Sequence, residues 1–218
     1  PDNLIALDLI RCVGYPLVAP SANRSGRPSP TTAAHVQEDL GDRIDAVIDG
    51  GNTTLGLEST VVKVTPDDVT LFRPGSITVE MLEEVAGMRV SFPHSFGPTP
   101  PSPGMKYAHY APQAKVCLVT HEARHRLWET VCRLQEHGEK VAVLAFDDTL
   151  RQAPASTQCY SLGARDDLQF AGRNLYALFR TADKDQVAAL VVEGVPSLGL
   201  GRALMNRLQK AASIIVEE

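Results

Sequence analysis

The sequence predicts an α/β protein made of two units that a proline-rich arm joins. Three observations support this prediction. From Lys115 onward, short apolar runs alternate with amphipathic stretches at helical spacing, which is typical of a parallel sheet covered on both faces. The first 88 residues mix short strand-like and helix-like segments, and residues 89–112 contain six of the fifteen prolines. With 218 residues and 44% hydrophobic side chains, the chain can bury one large or two modest cores.

The first unit is predicted to contain three helices and four short strands. Apolar residues at helical spacing mark the helices, namely Leu4, Leu7, Leu9, Ile10, Ala33, Val36, Leu40, Leu82 and Val85. The second helix is predicted to begin with Ser29 as its N-cap and Pro30 in its first turn. The third is predicted to be capped near Thr78 and to end at Gly87, with Leu82 and Val85 turned inward. Apolar and β-branched runs predict strands at residues 17–19, 46–48, 59–64 and 69–72.

The second unit, residues 113–218, is predicted to alternate strands and helices along one sheet. Its strands are predicted at residues 116–119, 141–146, 158–162 and 187–192. Its helices are predicted at residues 122–137, 166–180 and 200–212. The arm has no helical or strand period, yet it carries aromatic groups at Phe92, Phe96, Tyr107, His109 and Tyr110. We therefore expect the arm to lie against a surface.

Charge and composition exclude several classes of protein. A formal net charge of -5 and a pI near 5.7 argue against a surface that binds nucleic acid over its whole extent, and they leave a local basic pocket open. The four cysteines are far apart, so the sequence predicts reduced thiols in place of a disulfide framework or a metal knuckle. No apolar run approaches the roughly 18 residues that cross a bilayer. The sequence predicts a soluble, cytoplasmic protein without a membrane partner.

The stretch PSANRSGRPSPTT, residues 20–32, lies between a predicted strand and a predicted helix. The helix would point free backbone N–H groups and its positive dipole end toward this loop, which favours an anion. Serines, threonines and Asn23 add neutral donors, and Arg24 and Arg27 add positive charge. The same residue types are also usual in a turn that only caps a helix. Composition leaves both interpretations open.

Two further stretches carry polar side chains at strand ends. In GLESTVVKV, the side chains of Glu58, Ser59 and Thr60 enter a strand that should be at least half buried. Each is therefore either paired internally or turned toward a ligand. In LFRPG, Arg73 ends a strand before a tight turn, where a guanidinium either clamps a phosphate or carboxylate or lies in solvent.

Three other motifs favour structural interpretations. HEARH, residues 121–125, matches the pattern of zinc proteases, but both histidines are expected to face water and two arginines flank the second. GLG, residues 199–201, lacks the third glycine of a dinucleotide fingerprint, so a tight turn before a helix is favoured. Asp147 and Asp148 follow a strand and could bind a cation, although such exposed acids are more often solvated. No protein-held metal site is predicted.

The strongest signal is a set of four segments, PSANRSGRPSPTTAAHV, DGGNTTLGLESTVV, FRPGSIT and SPGMKYAHYAP. Their order and spacing closely resemble the L-threonylcarbamoyladenylate synthase family in its two-domain form. The resemblance covers essentially the whole chain. It implies that residues 1–88 are the later part of a YrdC-like mixed α/β catalytic domain, residues 89–112 a linker, and residues 113–218 a smaller Rossmann-like parallel α/β domain. It also implies that the front of the catalytic domain precedes Pro1, so we expect this chain alone to be inactive.

The resemblance implies that L-threonine, bicarbonate and ATP give threonylcarbamoyl-AMP and pyrophosphate, with Mg²⁺ entering on the phosphates of ATP. The implied enzyme class is a nucleotidyltransferase. Such transfer depends on positioning and on neutralising charge. The product would pass to a separate transferase complex for threonylcarbamoyladenosine formation in tRNA, and we expect at most weak RNA binding by this chain.

The resemblance also implies roles for individual residues. Ser21 and Ser59 would hydrogen-bond the threonine or its carbamate. Asn23 and Thr31 would contact ATP, and Arg73 would neutralise phosphate charge. No residue is assigned as an acid or base catalyst.

A lid over the site is implied as well. Tyr107, His109 and Tyr110 of the arm would close over the reactants and exclude water from a mixed anhydride that hydrolyses easily. The family usually has a basic residue where this chain has Ala108, so we expect one cationic contact fewer.

A second function stays open, which is a non-catalytic remnant of the family that binds a nucleotide, an RNA or a protein without turnover. The sequence that precedes Pro1 would distinguish the enzyme from the binding module. A basic Lys/Arg motif upstream favours the enzyme, and a start at Pro1 favours the binding module.

Overall fold

A computed structural model describes residues 1–93 and 111–218. In chain order these residues form α1 Leu4–Val13, α2 Ala33–Leu40, β1 Val61–Val64, β2 Val69–Arg73, α3 Val79–Ala86, β3 Val90–Ser91, β4 Lys115–Val119, α4 Leu127–Glu136, β5 Val141–Ala145, α5 Asp147–Leu150, β6 Gln158–Ser161, α6 Leu168–Lys184, β7 Ala189–Glu193, α7 Leu200–Ala211 and β8 Ala212–Val216. A 3₁₀ turn, Arg124–Arg126, leads into α4.

The strands form two sheets. In the first, β2 lies between β1, which is antiparallel to it, and β3, which is parallel to it. In the second, the strand order is β6-β5-β7-β4-β8 and every neighbouring pair is parallel. This confirms the predicted α/β class and the parallel sheet of the second unit.

The second sheet is buried on both faces because side chains alternate along each strand. In β4, Val116 and Leu118 pack into one cluster with α6 and α7, and Cys117 and Val119 pack into another with α4. The first sheet has a smaller core against α3, with four buried side chains, Val69, Leu71, Val79 and Val90. The second unit is therefore the larger source of hydrophobic stabilisation.

Two predicted strands are wrong. Residues 17–19 and 46–48 are not strands, and Val18 is 99% exposed and Ile48 61% exposed. Within residues 1–93 and 111–218, no strand lies beside either run. An apolar run without a neighbouring strand has no ladder to hold it extended.

The start of α2 also differs from the prediction. Thr32, and not Ser29, is the N-cap, because the Oγ1 of Thr32 accepts a hydrogen bond from the backbone N–H of His35 at 3.2 Å. The hydroxyl of Ser29 instead donates to Oε1 of Glu58 at 2.8 Å. Ser29 thus connects two segments of the first unit, and capping passes to the threonine three residues later.

α3 has the predicted caps, Thr78 and Gly87. Its inward face is only partly as predicted, because Leu82 packs on the core but Val85 is 90% exposed. Ala86 packs beside Leu82 in its place. In addition, β3 lies inside the stretch assigned to the arm and extends the first sheet.

The three short motifs have structural roles. HEARH forms a turn and the start of the 3₁₀ segment, and His121 is partly buried, which corrects the expectation that it faces water. Gly199 ends a turn as the N-cap of α7, and Leu200 and Gly201 begin the helix, where a Cβ on Gly201 would lie 2.2 Å from a carbonyl oxygen. Asp148 is not simply solvated but forms an ion pair with Arg165 at 2.9 Å.

Candidate functional site

The loop at residues 20–32 is folded by one of its own predicted site residues. The Nδ2 of Asn23 donates to the carbonyl oxygens of Arg24, at 3.0 Å, and Arg27, at 3.2 Å. Gly26 lies between them with φ +87°, a conformation that favours glycine. The Oδ1 of Asn23 is buried and has no hydrogen-bond partner in the described part of the chain. Asn23, which we expect to contact ATP, therefore sets the shape of the loop.

The positive charge of this loop is taken up by acidic residues of the protein. Arg27 donates to the carboxylate of Asp39 at 2.9 Å, and Arg24 donates to the carbonyl of Asp39 at 2.7 Å and approaches Asp42 at 3.4 Å. Arg180 of α6 donates to both carboxylate oxygens of Asp39, at 3.0 and 2.7 Å. Burial alone would raise the pKa of Asp39, but the hydrogen bonds of Arg180 and Arg27 outweigh it and lower the pKa to about 2. The arginines of the loop are thus already paired with Asp39 and Asp42 when no anionic ligand is bound.

Thr31, the other residue expected to contact ATP, lies just before α2 and is 5% exposed. Its backbone N–H donates to Nδ1 of His35 at 3.2 Å, and its carbonyl accepts from the N–H of Thr53 at 3.0 Å. Thr31 lines a cleft of about 390 Å³ between the Thr53 loop and α6, whose wall includes Arg173 and Asn174. Any contact of Thr31 with a ligand would be made from this wall.

The hydrogen bond at His35 gives the fold a predictable pH dependence. Burial lowers the pKa of His35 below its ordinary value of 6.5, and the charges of Arg180 and Lys184 lower it further, against smaller opposing effects of Glu38 and Asp39. A histidine whose folded-state pKa is depressed contributes stability that is complete above 6.5 and is lost as the pH falls below that value. His35→Asn keeps a hydrogen-bond acceptor for Thr31 but cannot titrate. We therefore expect the urea-unfolding midpoint of this variant to depend less on pH below 6.5 than that of the unchanged chain.

His137, which is exposed at the end of α4, offers the matched control. His137→Asn should leave the pH profile of the unfolding midpoint as it is in the unchanged chain. An equal change in both variants would contradict the role given to His35.

A second cleft, of about 860 Å³, lies between the loop and residues 50–58. Its wall includes Ser21, Ser29 and Glu58. Ser21 is exposed on this wall, and the volume is in the range that holds a small ligand. Ser21, which we expect to bind threonine or its carbamate, is therefore accessible to one.

Arg73 is in direct contact with the backbone of Ser59, the residue that follows Glu58 of the cleft wall. The Nε of Arg73 donates to the carbonyl oxygen of Ser59 at 3.0 Å. Gly75 packs on the same backbone, because a Cβ there would lie 2.3 Å from the backbone nitrogen of Thr60. The segments 58–60 and 73–75 thus form one surface that carries two of the predicted site residues.

Glu58 is paired internally, one of the two interpretations left open by the sequence. Its carboxylate accepts hydrogen bonds from Ser29, from the Tyr176 hydroxyl at 3.0 Å and from the Nε of Arg207 at 2.7 Å. Burial alone would raise the pKa of Glu58, but the charge and hydrogen bond of Arg207 and the hydrogen bond of Ser29 outweigh it and lower the pKa. An ionised Glu58 therefore connects the loop to α6 and α7 of the second unit.

The sequence prediction missed Tyr176, Arg180 and Arg207, which reach from the second unit into the first. Arg180 and Arg207 are 4% and 0% exposed. Their one sequence signal is a charged residue on the inward face of an amphipathic helix, where a guanidinium must find buried partners. The pattern gives no indication of which partners these are.

A further cation of α7, Lys210, lies one turn beyond Arg207. Burial lowers the pKa of Lys210 to about 8, and the charges of Arg207 and Arg73 act in the same direction against that of Glu58. α7 therefore brings positive charge to the strand end that carries Arg73, which suits an anionic ligand.

The predicted lid residues Tyr107, His109 and Tyr110 lie outside the described residues. Within residues 1–93 and 111–218, no three His, Cys, Asp or Glu side chains are grouped so that they could hold a metal ion. In the same residues, no helix has the length and apolar character needed to cross a membrane.

Two family models match the chain. One, described as threonylcarbamoyl-AMP synthase, C-terminal domain, covers residues 77–213, and the other, described as telomere recombination, covers residues 1–75. The chain is 40% identical over 221 residues to a threonylcarbamoyl-AMP synthase of Pyrococcus abyssi and 42% identical over 214 residues to one of Bacillus subtilis. These matches cover 97% of this chain, and 62% and 61% of the two relatives.

The fold is similar to a crystal structure of P. abyssi Sua5 complexed with L-threonine. The TM-score is 0.86 at 39% identity, covering 100% of this chain and 64% of that chain. The chain thus spans about three fifths of the length of the curated relatives it matches.

Proposed function

Because the chain belongs to the threonylcarbamoyl-AMP synthase family, we propose that the protein to which it belongs makes threonylcarbamoyl-AMP. The substrates are L-threonine, bicarbonate and ATP, and the second product is pyrophosphate. The relative from P. abyssi is complexed with L-threonine in its crystal structure, which supports threonine as the amino acid. ATP and tRNA are cytoplasmic, so we place the reaction there.

One observation carries the proposal, namely the contact between Arg73 and the backbone of Ser59, the residue after Glu58 on the wall of the 860 Å³ cleft. It brings the Arg73 guanidinium to the backbone of a serine, and the reaction needs positive charge and a hydroxyl donor at one place. The amine of threonine takes up bicarbonate with loss of water to give a carbamate. A carbamate oxygen then attacks the α-phosphorus of ATP, and the bond to the leaving pyrophosphate breaks. Positioning and charge neutralisation suffice for such a transfer.

Within this proposal each predicted site residue has a task. Ser21 and Ser59 donate hydrogen bonds to the threonine or its carbamate, and Arg73 neutralises phosphate charge. Asn23 and Thr31 shape the nucleotide part of the site, from the folded loop and the wall of the smaller cleft. Mg²⁺ enters with ATP. These residues make the protein a nucleotidyltransferase that supplies a tRNA threonylcarbamoyl transferase complex.

Tyr107, His109 and Tyr110 complete the proposed site as a lid. Their task is to keep water from the mixed anhydride until it leaves.

Arg73→Ala in the full-length protein tests the proposal. Loss of one charge-assisted contact should cost about 1.5–3 kcal/mol of transition-state stabilisation. This is a fall of about 10- to 150-fold in kcat/KM for ATP, measured as pyrophosphate release that depends on threonine and bicarbonate. The matched control is Lys63→Ala, which removes an exposed cation from the neighbouring strand β1.

Unchanged turnover in Arg73→Ala would remove Arg73 from the site. Absence of pyrophosphate release from the unchanged full-length protein would contradict the enzyme, and threonine or nucleotide binding without turnover would then favour the binding module. An assay of the 218-residue chain beside the full-length protein tests the expected inactivity of the chain alone.

A further inference from the structure

Arg207 of α7 is a charged side chain with no exposed surface. Burial of a guanidinium is costly unless its donors are satisfied. Its Nε donates to the Glu58 carboxylate at 2.7 Å, its Nη2 to the Glu58 carbonyl at 3.0 Å, and its Nη1 to the Pro74 carbonyl at 2.8 Å. Nη1 also donates to Oδ1 of Asn206 at 3.0 Å. One side chain of the second unit therefore holds two separate segments of the first.

The two segments are those that carry the proposed site. Glu58 directly precedes Ser59, and Pro74 directly follows Arg73. Their backbones already touch at Gly75, and Arg73 donates to the Ser59 carbonyl across the contact. The three acceptors of Arg207 in the first unit lie on both sides of this contact, so its planar fork fixes how far apart Ser59 and Arg73 can move.

We propose that Arg207 is a positioning residue for nucleotidyl transfer, which holds Ser59 and Arg73 at the separation that the carbamate and the α-phosphate require. This inference rests on the proposed function. It gives the second unit a task in the chemistry, because α7 supplies the fork from outside the segments that bind substrate.

The substitution Arg207→Lys distinguishes a positioning role of Arg207 from a role in charge balance alone. An ammonium can neutralise the Glu58 carboxylate, but it lacks the planar fork that reaches two carbonyls and a carboxylate together. We therefore expect Arg207→Lys to remain folded and to lose rate. A misplacement of about 1 Å costs on the order of 10²-fold, so kcat for pyrophosphate release should fall by about that factor. KM for threonine and ATP should change much less, because the contacts to the bound substrates themselves remain.

Arg165→Lys is the matched control, since it makes the same chemical change in another arginine with several acceptors, one whose side chain is 29% exposed. Arg165 binds Asp148, Thr149 and Glu193, all in the second unit. Both variants are assayed as full-length protein at a temperature where circular dichroism shows them folded. Arg165→Lys should keep the kcat of the unchanged protein.

The outcomes separate the two proposals. If the unchanged protein releases no pyrophosphate, the proposed function itself fails. If it is active and Arg207→Lys keeps its kcat, or loses no more than Arg165→Lys, the positioning role of Arg207 is wrong. A fall in kcat that appears only together with unfolding would also overturn it, since Arg207 would then act on stability alone.

Discussion

Replacing Arg180 by methionine should lower the free energy of unfolding by about 3–5 kcal/mol, because it leaves the buried carboxylate of Asp39 without its main partner. The side chains of Arg180 and Asp39 are 4% and 0% exposed, and two hydrogen bonds join them. Arg27 would remain on Asp39, but it is 38% exposed and contributes only one short contact. Arg180 also donates to the carbonyl of Pro28 at 2.6 Å, so its loss frees the loop. Urea unfolding followed by circular dichroism measures the change.

Two further variants show whether the loss comes from the broken pair. Arg43→Met removes an arginine that is 65% exposed and makes only a 3.9 Å contact, so it should change stability by less than about 0.5 kcal/mol. Arg180→Met combined with Asp39→Leu removes both charges and should recover part of the stability that the single change loses. An Arg180→Met variant as stable as Arg43→Met would mean that this pair does not join the two units.

The parts of the fold that the sequence predicted are those fixed by local information. The run Val141–Ala145 is apolar at every position, because both faces of its strand are covered, and it predicts a buried strand without knowledge of its neighbours. The caps of α3 are equally local, since Thr78 accepts from Met81 and Gly87 adopts a left-handed conformation. Each of these signals lies within a few residues of the structure that it specifies.

The wrong predictions depend on partners far along the chain. The run at 17–19 is as apolar as a strand, but a ladder requires a neighbour that the run itself does not encode. Val85 fits a helical stripe, yet the short α3 presents Ala86 to the small sheet instead. In both cases the local pattern is compatible with the predicted structure, but contacts with residues far along the chain determine which structure forms.

The candidate site divides in the same way. Ser59 lies two residues before β1, and Arg73 ends the adjoining strand β2, so these two polar side chains, 14 residues apart, could be expected to lie close together. Arg207 and Glu58 are 149 residues apart, and no spacing rule connects them. The sequence could therefore indicate the residues of the first unit that are proposed to bind substrate, but not the buried side chain of α7 that contacts their segments.

The contact that joins these two strand ends leads to the second large expected effect. Gly75→Ala should lower the free energy of unfolding by roughly 3 kcal/mol, the upper end of the usual cost of overpacking. A Cβ at this position would lie 2.3 Å from the nitrogen of Thr60, 2.6 Å from the carbonyl carbon of Ser59 and 2.7 Å from the carbonyl oxygen of Glu58. All three atoms are backbone, so no side chain can rotate away. The segments 58–60 and 73–75 must separate, and the proposed pyrophosphate release should be lost with the Arg73–Ser59 contact.

Gly50→Ala is the matched control, because its Cβ would meet only the side-chain amide of Asn3, at 3.3 Å. That flexible group can shift by a few tenths of an ångström, so the control should lose less than about 1 kcal/mol. Neither glycine is among those with a left-handed φ, so backbone strain does not separate the two variants. Equal urea midpoints for Gly75→Ala and Gly50→Ala would contradict the close packing of segments 58–60 and 73–75. Since Arg207 fixes the same two segments from the other unit, that result would also remove the surface on which it is proposed to act.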